Sequence, residues 1–103
     1  MAYEPSALDA NLSAIAGDDP ALQAELRAAF LDSIRRQADL LRRSRCDGNW
    51  RIAALRLRTI AASFHADALL VLAEEALAAA PGEPTVIRLI EEQFDLLDGG
   101  VRS

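Results

Sequence analysis

Apolar residues recur along this chain at three- and four-residue intervals, the spacing that lines one face of a helix. Leu8, Leu12 and Ile15 make the first such stripe. Pro5 and Ser6 open it, with Ser6 placed to cap and Asp9 three residues on as a weak capping box, and Gly17 ends it. Asp18-Asp19-Pro20 is the clearest start signal. Asp19 is the expected N-cap, and Pro20 takes the first helical position, where its missing N–H does no harm. A long stripe follows through Leu22, Leu26, Phe30, Ile34, Ala38 and Leu41, broadened by Ala29, Ser33, Gln37 and Leu40, and runs to about Arg45. Arginines gather in its last turns, where they complement the negative end of the helix dipole. Cys46-Asp47-Gly48 breaks the pattern, and Asn49 can cap what comes next.

The stretch from Asn49 to Ala66 reads as a helix with two distinct faces. Ala53, Leu57, Ile60, Ala61 and Phe64 form a core stripe. Arg51, Leu55, Arg58, Thr59 and Ala62 fall on the other side, where two arginines flank a leucine that should point at water. His65-Ala66-Asp67 is a junction, with Asp67 as cap for a helix packed through Leu69, Leu70, Leu72, Ala73, Ala76 and Leu77. Pro81-Gly82-Glu83-Pro84 is a definite break. Thr85 or the residues just before it start a last helix, with Val86, Ile87, Leu89, Ile90, Phe94 and Leu97 as packing positions. Gly99 and Gly100 stop it, and Val101 to Ser103 fray. No alternating run, hairpin dipeptide or internal repeat competes with this reading. The expectation is an all-α fold: an antiparallel four-helix bundle with a short additional N-terminal helix covering one end.

Composition agrees. The 103 residues suit one domain, residues 1–103, able to bury a modest core unaided. Hydrophobic residues make up 51% and aromatics 5%, with alanine and leucine prevailing, which favours helix over strand. The net charge of −5 argues against wholesale nucleic-acid binding, which gains its affinity from a basic face. Every basic residue is arginine. Arg35, Arg36, Arg42, Arg43, Arg45, Arg51, Arg56 and Arg58 gather mid-chain while acids dominate both ends, so a local positive surface sits within an acidic protein and suits an acidic protein partner. The N-terminus has no basic segment followed by an apolar run, so no signal peptide is expected. The most apolar stretch, Ala66 to Ala80, holds Asp67, Glu74 and Glu75 and is too short and charged to span a bilayer. A cytoplasmic protein without a membrane partner is the expectation.

Site chemistries fail in turn. One cysteine excludes an internal disulfide, and one histidine with one cysteine makes no usual zinc site, so no metal is expected. Cys46 and His65 meet only if the fold brings them together. Glu74-Glu75 and Glu91-Glu92 are adjacent on helices and point about 100° apart, as solvated faces do. No glycine-rich phosphate loop and no nucleophile with base and orienter can be assembled. Neither catalytic residues nor a cofactor are implied.

One pattern does stand out in the two-faced helix. Ala54, Leu55, Arg56, Leu57, Arg58, Thr59 and Ile60, then His65, Ala66 and Leu69, follow the frame A-H-x-L-K-G-S-x-x-x-x-G-A-x-x-L. Upstream lie a short helix, the segment GDDPALQAELRAAFLDSIRRQADLLRRS and a break. In these features the chain resembles the histidine-containing phosphotransfer (HPt) domains of bacterial phosphorelays, from about Ala7 to Leu97. The departures bear on function. Leu55 stands at the phosphoacceptor position, and leucine has no nucleophile, so the family's reaction cannot occur there. Arg58 keeps the charge of the family lysine, Thr59 replaces one family glycine and His65 the other.

The resemblance implies a pseudo-HPt domain of two-component signalling. It would bind a receiver domain or a histidine kinase as adaptor or inhibitor, without phosphotransfer, through its second and third helices. Arg51, Leu55, Arg58, Thr59 and Ala62 would form the contact centre, with the arginines near the acidic pocket of a receiver. Two alternatives stand beside it: an active relay protein phosphorylated on His65, and a structural or self-associating bundle that buries the Leu55 and Arg58 face in a homodimer.

Overall fold

Five α-helices and their connections make up the described residues, 7–44 and 46–98 of the computed structural model. They are α1 (Ala7–Ala16), α2 (Pro20–Arg43), α3 (Asp47–Ser63), α4 (Asp67–Ala78) and α5 (Pro84–Leu97). No strand occurs among the described residues. Pro5, Ser6, the Leu8 side chain, Arg45 and residues 99–103 lie outside them, and so do the expectations resting on those residues.

The helix ends follow local chemistry. Asp19 caps α2 through its carboxylate, which accepts from the N–H groups of Ala21 and Leu22 at 3.0 and 3.1 Å, and Pro20 begins the helix. Gly17 ends α1 at φ +68°, the left-handed conformation that glycine adopts without strain. α2 ends at Arg43, two residues before the expected end at about Arg45. Ser44 caps its end and Cys46 is the N-cap of α3, so the break comes two residues earlier than Cys46-Asp47-Gly48. α3 then starts at Asp47, with Gly48 and Asn49 inside its first turn, so Asn49 is not a cap. Asp67 is likewise the first residue of α4 and not its cap; Ala66 holds that place, without a side-chain bond. In both helices an aspartate in the first turn complements the positive end of the dipole. Glu83 caps α5 by accepting from the Thr85 N–H at 3.1 Å.

α2 packs against α1, α3 and α5, and α4 packs against α3 and α5. Leu12, Phe30, Ile34, Leu41, Leu57, Leu69 and Ile90 are the large side chains fully enclosed between them, each worth about 1.5–3 kcal/mol of apolar burial. The most extensive contact joins α3 to α4, and both helices turn small residues into the core: Ala53, Ala54 and Ala61 from α3, Ala73 and Ala76 from α4. Alanines at a helix contact let the two backbones approach closely. Trp50 closes this pair at one end, where its indole N–H donates to the Ala76 carbonyl oxygen at 2.7 Å. Near the other end the Phe64 ring lies 4.7 Å from that of Phe30, tilted by 54°.

Several stripe positions differ from expectation. Ile15 is 55% exposed, because a helix as short as α1 buries only Leu12 of the described pair. Leu22 and Leu40 are also largely exposed, and Ala29 is exposed. The α2 stripe is buried from Phe30 to Leu41, where α3 and α5 cover it. Ile60 and Phe64 are half-buried, while Trp50 and Ala54 join the α3 core instead.

Candidate functional site

The inward face of α3 is set by Trp50, Ala53, Ala54, Leu57 and Ala61, all buried. With 100° between successive residues, this fixes what points away from the core. Arg51, Arg58, Thr59 and Ala62 are exposed there, as the spacing predicts. Leu55 is half-buried instead of fully exposed. It shares a shallow hollow of about 260 Å³ with Arg56, Thr59 and Ile60 of its own helix and Gln37 of α2. Gln37, Arg56 and Ile60 were not singled out for this face by the sequence. Reading the α2–α3 connection as a hairpin places Gln37 level with Leu55, and that register was the available signal. The Gln37 Oε1 is buried with no hydrogen-bond partner among the described residues.

Charge distinguishes α3 from its neighbours. On α2, Arg35 and Arg36 both reach Asp32, at 2.6 and 2.8 Å. Arg42 and Arg43 both reach Asp39, and Arg42 also approaches Glu91 of α5 at 3.5 Å. Arg27 pairs with Asp9 at 3.3 Å, and Arg88 with Glu92 at 3.1 Å. Arg51, Arg56 and Arg58 of α3 make no ion pair among the described residues. Exposed pairs of this kind add little stability, but they neutralise the local field. α3 keeps its positive charge uncancelled around Leu55, within a chain of net charge −5.

A larger groove of about 640 Å³ lies between α2 and α5, lined in part by Arg35, Arg36, Arg42, Glu91 and Phe94. Its arginines are each already paired with an acid, so it offers less uncommitted charge than the α3 face.

His65 and Cys46 do not meet. Cys46 is the exposed N-cap of α3, and His65 lies beyond the C-cap, Phe64. The helix between them is about 25 Å long at 1.5 Å per residue. His65 adopts φ +55°. Its N–H donates to the Ala62 carbonyl at 3.2 Å, and the Ala66 N–H donates to that of Ala61 at 2.8 Å. This pair of bonds is the Schellman ending, with histidine where glycine is usual. It ends α3 cleanly before α4 begins at Asp67. The Phe64 carbonyl is in turn covered by the Asn11 side-chain amide at 3.1 Å. His65 is exposed at the negative end of α3. Among the described residues no group of three His, Cys, Asp or Glu side chains is placed to hold a metal ion, and no helix is long and apolar enough to cross a membrane.

No family model matches this chain, and neither does any curated protein or solved structure.

Proposed function

We propose that this is an HPt-like domain without its histidine, which binds a receiver domain or the receiver-like face of a histidine kinase and transfers no phosphate. In this reading α2 to α5 form an antiparallel four-helix bundle and α1 lies across one end. The packing of α2 on α3 and α5, and of α4 on the same two helices, supports that arrangement. The observation that carries the function is the setting of Leu55. It is half-buried in a hollow shared by α2 and α3, at the position where the resembled family keeps its reacting imidazole, and Arg51 and Arg58 beside it have no acid of their own. An apolar anchor ringed by uncommitted cations fits an acidic protein pocket. The domain would act in the cytoplasm as an adaptor or inhibitor that occupies a receiver.

Incubation with phosphorylated receiver domains from the same organism tests this. The expected result is a complex with the wild-type chain, loss of that complex in Leu55→Glu, and no phosphate on the domain. Acid-labile phosphate on the wild-type chain, absent from His65→Ala, would sink the reading and support a relay through His65. The helix end weighs against that alternative, because a phosphoryl group on His65 would sit at the negative pole of α3.

A further inference from the structure

α4 carries a second exposed stripe with the spacing of the first and the opposite charge. Asp67, Val71, Glu74, Glu75 and Ala78 stand sixteen positions after Arg51, Leu55, Arg58, Thr59 and Ala62, and all five are exposed. Val71 is 52% exposed between acids, as Leu55 lies between arginines. Burial repeats at the same offset, since Ala53 and Leu57 are matched by Leu69 and Ala73, all four buried. Asp67, Glu74 and Glu75 make no ion pair among the described residues, and neither do Arg51 and Arg58.

We infer that the partner for these stripes is a second copy of this chain, with α3 of each copy seated on α4 of the other. The Trp50–Ala76 bond joins the start of α3 to the end of α4, so the two helices of one chain run in opposite directions. A two-fold axis parallel to them then lays α3 against α4 of the second copy, again in opposite directions, and does so twice. Centring Leu55 on Val71 sets Arg51 opposite Glu75, four residues from the centre in each helix. On the other side it brings Arg58, three residues from the centre, within one residue of the position opposite Asp67, four from the centre, a rise of about 1.5 Å. The other two-fold axis in the same face would place arginines on arginines and acids on acids, so charge selects one arrangement, and that arrangement closes as a dimer. The pairing rests on the two stripes and not on the receiver reading. It covers Leu55, so the dimer and a receiver complex exclude each other.

The test is the mass of the full chain in solution, by sedimentation equilibrium from micromolar to millimolar protein, at low and high salt. A mass of two chains at low salt that falls towards one as salt rises is the expected result. Two variants sharpen it. Arg51→Glu with Arg58→Glu makes both stripes acidic, and Asp67→Arg with Glu75→Arg shifts the α4 stripe to net positive, like its partner. Each alone should be monomeric, with unchanged helicity by circular dichroism, and an equal mixture should recover the mass of two chains. A wild-type monomer under every condition overturns the inference without any variant. So does a dimer in either variant alone, a mixture that stays monomeric, or mass that keeps growing beyond two chains.

Discussion

The Trp50 indole and the Ala76 carbonyl oxygen, 26 residues apart in sequence, are joined by a hydrogen bond inside the apolar contact of α3 and α4. Ala76 lies in the last turn of α4, and its carbonyl oxygen accepts from the Ala79 N–H at 3.2 Å as well as from the indole. Trp50→Phe keeps most of the ring and removes the donor. Unfolding in urea, followed by circular dichroism, should show a loss of about 1–3 kcal/mol with the slope unchanged. A loss within experimental error would mean the bond adds nothing to the contact.

His65 holds a left-handed conformation that costs a side chain with a Cβ more than it costs glycine. His65→Gly should therefore raise stability, by about 0.5–1 kcal/mol, seen as a thermal midpoint several degrees higher. A lower midpoint would show that the imidazole makes a contact worth more than the strain.

Arg27 gathers three helices. From α2 it reaches Asp9 of α1 and donates to the Leu97 carbonyl at the end of α5. Arg27→Ala should cost about 2 kcal/mol, since a charged donor at a helix C-terminus is lost together with the ion pair. Asp9→Ala should cost less, because the bond to Leu97 survives it. Equal losses would place the whole effect in the ion pair.

Leu55→Glu should leave the stability of the chain within about 0.5 kcal/mol, as its side chain is only half-buried and borders no core layer. Receiver binding should weaken by about 2 kcal/mol, roughly thirtyfold, by titration calorimetry. Unchanged affinity would move the docking face elsewhere.

Much of the fold was legible because its signals are local. Asp19-Pro20 and Glu83-Pro84 write helix starts into two residues each, and the three- and four-residue spacing located the faces of α2 and α3. The misreadings came where tertiary contact decides. Ile15 matches the period of its helix but has nothing packed over it. Trp50 lies seven residues before Leu57, on the same face, but it directly follows the expected cap Asn49, and the expected core stripe begins at Ala53. At the candidate face, the periodicity separated Arg51, Leu55, Arg58, Thr59 and Ala62 from the core. It did not show that Gln37 comes alongside Leu55, or that the α2 arginines are neutralised and those of α3 are not. Both depend on which helices lie side by side and on side-chain reach.

The buried alanines of α3 and α4 also bear on how this chain tolerates change. Ala53, Ala54, Ala61, Ala73 and Ala76 are at most 1% exposed, so a larger residue at any of them must be fitted inside the packed core, which costs about 1–3 kcal/mol. The outward positions carry no such burden, and substitutions well separated from the contact act independently of it. Selection can thus rewrite the outer charges one residue at a time while the inner contact stays frozen. A scaffold divided in this way can drift from one binding partner to another without passing through an unfolded intermediate sequence.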